Sequence, residues 1–434
     1  MGRFIATWAA LGVTLSTATQ LRLRGLPVGF SEAILITWIL FVIFLLLRGI
    51  PFTAGRVFAG LAGYWLVSLV LLCFGMVVAI HTREFNFSVA AHDGLAFAYA
   101  AVVASLLSLS FYDRRAGEYH SHLSRRTFLF HSWSAALLFG VGSFTEALGP
   151  INVWYAGVRF RGWAENPNQM ALAMVAMPFL GWHLLKQSSS FVGKAGYLLG
   201  IGVCSAVGIA TQSDALQVGW AAALCTTGAL VWYRITLRGR SRWLYLSHLI
   251  VPALVVVFGV SMGIDIVEQV GRIMRGIYEA GDQGAKRFTL WLNGLAAIVQ
   301  SPLVGFGPGP FSGLSGPLEG EEAHNSLIDW GMSTGVTGVF LHLALWGWCL
   351  WRTTKSRSGA LVGMAVAVMM YSLFGYMLRH PDYWLMLILL LKCAERSTQV
   401  ASQQAPGLAA AGDPVPPALQ IPRPRFRFQQ PRMQ

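Results

Sequence analysis

Glu321-Glu322-Ala323-His324-Asn325-Ser326-Leu327-Ile328-Asp329-Trp330 closes the longest polar interruption in the chain and then gives way, from Gly335 and Gly338 to Trp351, to a long apolar run. Clustered carboxylates and a histidine leading into a run of membrane-spanning length put that histidine at a membrane face. Glu319, Glu321 and Glu322 crowd its N-terminal side. An imidazole ordinarily titrates near ~6.5, so at working pH it can be neutral and accept a proton from a hydroxyl group. Neighbouring carboxylates favour the charged form instead, which would bind phosphate. Both roles stand for His324.

Working outward, 55% of the 434 residues are hydrophobic and 12% are charged. Soluble chains carry charge on about a quarter of their positions, so this composition is that of a polytopic membrane protein. The formal charge of +13 does not point to nucleic acid, because the basic residues fall mainly in short loops between apolar runs. Cys73, Cys204, Cys225, Cys349 and Cys393 lie in or beside apolar segments without metal-ligand spacing, so neither a disulfide framework nor a zinc site is expected.

Runs of crossing length predict an all-α fold of about 12 transmembrane helices, at roughly 4–19, 30–47, 57–80, 94–111, 127–146, 169–185, 192–210, 215–233, 243–264, 335–351, 358–378 and 382–394. Arg48 with Arg56, Arg125 with Arg126, Lys186 with Lys194, Arg238 with Arg240, and Arg352 with Lys355 then share one side, which the positive-inside rule makes cytoplasmic. Both termini are expected there, and the His324 loop on the other face. The loop from 265 to 334 is too long for a simple turn. Two apolar stripes at helical spacing, Ile266 to Tyr278 and Phe288 to Val299, predict amphipathic helices, either lying in the membrane surface or packed on the bundle. Residues 1–395 thus read as one membrane domain with an extracytoplasmic catalytic loop at 265–334. Residues 396–434, ending in Arg423-Pro424-Arg425-Phe426-Arg427-Phe428, read as a disordered Pro/Arg-rich cytoplasmic tail.

His324-Asn325 followed by Gly335-x-x-Gly338 at the mouth of a helix resembles the signature of the O-antigen ligase and O-antigen polymerase superfamily. Arg287-Phe288-Thr289-Leu290-Trp291 and Pro302-Leu303-Val304-Gly305-Phe306-Gly307-Pro308-Gly309-Pro310-Phe311 resemble its arginine-tryptophan helix and glycine-rich turn. Ser333 departs from the pattern, which usually has glutamate there. The specific motifs cover roughly 287 to 340. The resemblance implies a bacterial inner-membrane glycosyltransferase with an undecaprenyl-diphosphate-linked glycan as donor and lipid A-core or another glycan as acceptor. It links Arg287 to donor binding and matches either Arg159 or Arg161, ahead of Asn166-Pro167-Asn168, to a further arginine.

The residues themselves offer no nucleotide-binding glycine loop, no Asp-x-Asp, no His-Glu-x-x-His and no Ser-His-Asp set, so no cofactor and no metal are expected. Arginine plus histidine is the chemistry available. Arginines can hold a diphosphate bidentately and stabilise its growing charge while a base activates the acceptor. The catalytic candidates are His324 and Arg287; the substrate-binding candidates are Arg159, Arg161, Arg379, Asp382 and Asn325. Thr211-Gln212-Ser213-Asp214 is a weaker one, and His183 and His342 read as packed side chains. Ligation to lipid A-core in lipopolysaccharide biosynthesis is the first reading and polymerisation with the same donor the second. A flippase of lipid-linked sugars is the rival of another class; it would need ionisable groups or broken helices near the midplane, and the interiors of the predicted segments carry no Asp, Glu, Lys or Arg.

Overall fold

The computed structural model describes residues 1–22, 29–82, 86–111, 118–238, 283–313 and 318–409. The expected segment at 243–264, the stripe at 266–278 and the tail from 410 onward lie outside the described residues. Within them the chain is helical: α1 Gly2–Thr14, α2 Phe30–Leu47, α3 Arg56–Thr82, α4 Phe87–Ser108, α5 Glu118–Gly142, α6 Pro167–Val175, α7 Met177–Gln187, α8 Phe191–Ala210, α9 Asp214–Arg238, α10 Gln283–Gln300, α11 Ser326–Lys355, α12 Gly359–Ser372 and α13 Pro381–Ala409. Short antiparallel strand pairs lie in the connections. β1 Phe52–Thr53 pairs with β2 Ser110–Phe111, β3 Ala147–Leu148 with β4 Ile151–Asn152, and β5 Trp154–Tyr155 with β6 Arg159–Phe160.

Polar residues in the turns start these helices by accepting the first free backbone N–H groups. Asn86 caps α4, Asn166 caps α6 with Pro167 in the first turn, Ser190 caps α8, Asn325 caps α11 and Ser358 caps α12. Among the described residues six helices, α2, α3, α4, α8, α9 and α11, are long and apolar enough to cross a membrane. The other helices are either shorter or, like α5 and α13, long but less apolar over their length. The run expected as one helix at 169–185 is two, α6 and α7, divided at Ala176 just ahead of Pro178, whose ring carries no N–H for the ladder.

Packing sorts the helices by depth. From Tyr383 to Leu391 no side chain of α13 is more than 1% exposed, so this helix is apolar all round and forms the central post. α1 packs on α5, α12 on α9 and α7 on α8 around it. Leu40 and Leu47 of α2, Leu66 and Phe74 of α3 and Leu199 of α8 stay exposed, as apolar side chains facing lipid would. α13 also runs on to Ala409, beyond Arg396, where the sequence reading starts the disordered tail. Its extension through Glu395, Arg396 and Gln399 is rich in helix formers.

Candidate functional site

The apolar run that the sequence reading starts at Gly335 begins earlier. α11 starts at Ser326 and is interrupted at Gly335, whose φ of 68° and ψ of −174° belong to a backbone region that only glycine enters freely. Polar residues in its first turn hide this start: Asp329 and Ser333 sit on a short, buried half-helix rather than in a loop. The interruption frees backbone groups, and the glycine-rich turn uses them. Phe306 donates its N–H to the Met332 carbonyl at 2.8 Å, Gly307 to that of Ser333 at 2.9 Å, and Val336 to that of Pro302 at 2.7 Å. Gly307 lies so close to Gly75 of α3 that neither has room for a β-carbon. The turn is therefore wedged backbone to backbone between α3 and the break in α11.

His324 stands on the lip of this structure. Its backbone is left-handed, with φ 52°, and its side chain is exposed. Both neighbours are held by one carboxylate: Asp329 accepts the Ala323 N–H at 2.8 Å and the Asn325 N–H at 2.9 Å. Asn325 in turn accepts the N–H groups of Leu327 and Ile328 with its side-chain oxygen, so it is a helix cap rather than a free ligand. The imidazole thus projects from a rigid lip. Asp329 has no role in the sequence reading, although its place in the first turn, one turn past Asn325, is the spacing at which an acid can turn back on the preceding backbone.

α10 brings in the arginine. The Trp291 indole N–H donates to the Ala323 carbonyl at 2.8 Å. Gly294 lies against Ile328, and Ala297 and Ile298 pack with Met332. Arg287, one helical turn before Trp291, lies on the same face at about 6 Å along the axis. Its side chain is exposed and makes no hydrogen bond or ion pair among the described residues.

A second arginine lies beneath the loop. Arg379, in the turn before α13, bonds Glu322 and also Asp93 of α4 at 2.6 Å, and stacks over the Tyr376 ring at 4.9 Å. Burial works against its charge, but Glu322, Tyr376 and Asp93 outweigh it and hold the guanidinium above its ordinary range. Glu322, which the sequence reading places among the carboxylates crowding His324, is committed to Arg379. Ser326 ties the same pieces together, donating to the Gly375 carbonyl at 2.6 Å and accepting the Met377 N–H at 3.0 Å.

The remaining candidates lie apart from this group. Asp382 is buried in the bundle, where it accepts the Ser16 hydroxyl at 2.6 Å and faces His131. Arg161 donates to the Asn152 and Glu165 carbonyls and lies over Tyr155, bracing its own hairpin. Arg159 reaches further, to the Thr211 carbonyl at 3.0 Å and the Asn168 side chain at 3.2 Å, while Tyr371 donates to the Asn168 carbonyl. It joins the Asn-Pro-Asn turn to the Thr211–Asp214 turn. No described hydrogen bond or ion pair links Arg159 or Arg161 to His324 or Arg287.

An exposed histidine on a clamped lip, an unpaired arginine on a docked helix and a glycine-rich turn filling a broken helix all fall within residues 198–343, which match the model of the family described as O-antigen ligase. The match covers roughly a third of the chain. No curated protein matches it. The O-antigen ligase match takes in α8 from Leu198, α9, α10 and α11 as far as Leu343, so it contains His324, Arg287 and Asp329. Arg159, Arg161, Arg379 and Asp382 lie outside it. Its apolar helices suggest a membrane protein, and residues 198–343 are similar to the O-antigen ligase family. Among the described residues, no three His, Cys, Asp or Glu side chains are grouped to hold a metal ion.

Proposed function

We propose that this protein transfers a glycan from an undecaprenyl-diphosphate carrier to a sugar hydroxyl of lipid A-core, at the extracytoplasmic face of the inner membrane. The reaction is O-antigen ligation in lipopolysaccharide biosynthesis. His324 takes the proton of the acceptor hydroxyl, and Arg287 binds the donor diphosphate and stabilises its charge as it leaves. Arg379 holds the His324 loop through Glu322, and Arg159 contributes a further anion-binding group. Displacement by the hydroxyl inverts the anomeric carbon, and cationic side chains do the work that a metal would otherwise do. The chain crosses the membrane 12 times by our reading (about 20 residues per crossing), with both termini cytoplasmic.

The observation that carries this reading is the hydrogen bond from Trp291 to the Ala323 carbonyl, which sets the helix bearing Arg287 against the loop bearing His324. A broken helix is also a feature of transporters, where unwound backbone is left open to bind an ion near the midplane. In α11 the freed carbonyls of Met332 and Ser333 are taken by Phe306 and Gly307 of the glycine-rich turn. The break serves the loop, which favours a transferase.

Deleting the gene and examining the surface glycan tests the proposal. Loss of a ligase leaves full-length polymer on the carrier lipid and a bare core; loss of a polymerase leaves core capped with a single repeat. Normal glycan-capped core after deletion would exclude both.

A further inference from the structure

His131 and Asp382 meet deep in the bundle, away from the loop site, and neither has a part in the transfer chemistry above. His131 is 1% exposed and Asp382 2% exposed. The His131 Nδ1 lies 2.9 Å from the Thr127 carbonyl. A carbonyl only accepts, so Nδ1 carries a proton. Thr14 spends its hydroxyl proton on the Ala10 carbonyl at 2.8 Å, so it too accepts from Nδ1, at 3.0 Å. The other ring nitrogen, Nε2, faces Asp382 Oδ1 at 3.7 Å, and both atoms are buried with no hydrogen-bond partner among the described residues. The second carboxylate oxygen is satisfied by the Ser16 hydroxyl at 2.6 Å.

This geometry fixes a proton count. With Nδ1–H committed, an imidazole without a further proton turns a lone pair toward a carboxylate, and two acceptors then oppose each other, both buried from bulk solvent. Burying polar atoms in that arrangement is costly. A proton on either partner removes the conflict, as imidazolium with carboxylate or as imidazole with carboxylic acid. We propose that His131 and Asp382 share one bound proton, and that this proton fastens the start of α13 to α5 and α1 and so holds the Arg379 turn in place.

Asp382 is the second residue of α13, so its attachment sets where the preceding turn sits. The other charged or titratable groups beside it are in that turn, Arg379 and His380; α1 and the residues after it contribute Thr14 and Ser16, and Asp93 of α4 is taken up by Arg379. Burial and the Arg379 charge push His380 down to about 4, so it stays neutral and does not compete for the shared proton. When the pair gives its proton to water, the Asp382 carboxylate is left facing a lone pair and the first turn of α13 lets go. His131 and Asp382 are positioning residues. Their consequence for glycan transfer rests on the function proposed above, whereas the shared proton does not.

The test uses the full-length protein in lipid nanodiscs and reads structure rather than transfer, so its failure is separate from failure of the proposed reaction. Deuterium exchange of the segment 373–384, corrected for intrinsic rate, is followed against pH in wild type and Asp382→Asn. The asparagine amide donates to Nε2 and its oxygen accepts from Ser16 without titrating. Wild type should show a one-proton step in which exchange rises about tenfold, and Asp382→Asn should match the protected level with no step. A wild-type profile without a step, or a step that Asp382→Asn shares, overturns the proposal. If Asp382→Asn does not fold, nitrogen NMR of His131 and the carboxylic-acid infrared band decide it in wild type. A proton at Nε2 or on a carboxyl group is expected at neutral pH; a bare Nε2 beside an ionised Asp382 overturns it.

Discussion

Trp291 donates its indole N–H to the Ala323 carbonyl across 2.8 Å, and that bond joins the helix of Arg287 to the lip of His324. Under the proposed transfer, the groups that act on donor and acceptor are set in register by a third residue that touches neither. Trp291→Phe keeps an aromatic side chain, though a smaller one, and removes the donor, leaving a buried carbonyl unpaired at a cost of about 1 kcal/mol. Glycan transfer by purified protein should fall about fivefold with folding retained. Unchanged transfer would mean that the two groups are registered by packing alone.

Asp329 should matter to stability before it matters to chemistry. Its two oxygens each accept one backbone N–H, from Ala323 and Asn325. Asp329→Ala strands both, so the purified protein should lose about 2–5 kcal/mol, read as a lower thermal midpoint. Asp329→Asn keeps one acceptor and should lose about half as much.

Arg379 is the hub of a charge network with Glu322 and Asp93, with its own side chain 22% exposed. Breaking such a pair strands its partners, but partial exposure lowers the cost to about 1–3 kcal/mol. Arg379→Ala should be partly rescued by Glu322→Gln in a double-mutant cycle, since removing the stranded charge removes part of the damage. Strict additivity would show the two residues to be uncoupled.

His380 gives the protein a pH dependence. Burial and Arg379 lower its folded value to about 4, against about 6.5 in an unfolded chain. The unfolded state therefore binds the proton first as pH falls, and stability should be lost between about pH 6.5 and pH 4. His380→Gln should flatten that part of a curve of thermal midpoint against pH.

The sequence carries some of this architecture and not the rest. α2, α3, α8 and α9 follow their apolar runs closely, because a helix in lipid must be apolar over its crossing length, whereas α4 starts at Phe87, ahead of the expected 94, and takes in Asp93. The start of α11 is hidden, because Gly335 reads as the mouth of a helix whose polar first turn, Ser326 to Ser333, is buried by a loop rather than by lipid. The arginine-tryptophan pair on α10 is visible in its spacing. The grip of Asp329 on the backbone is not, since an acid in a first turn looks the same whether it faces water or two N–H groups. The link from Arg379 to Asp93 spans 286 positions and that to Glu322 spans 57, distances over which no local pattern reports. Asp382 sits in the same short turn as Arg379 in sequence, yet one turn of helix sends it into the core, to His131.

Under the proposed function His324, exposed on its clamped lip, is the base. Purified protein in nanodiscs, given a lipid-linked glycan donor and lipid A-core, measures it most directly through the single-turnover rate of His324→Ala beside wild type. Loss of a general base lowers the rate by a factor of about 10² to 10⁴, and the account predicts a loss in that range with the thermal midpoint unchanged. A His324→Ala protein that transfers glycan at nearly the wild-type rate would contradict it.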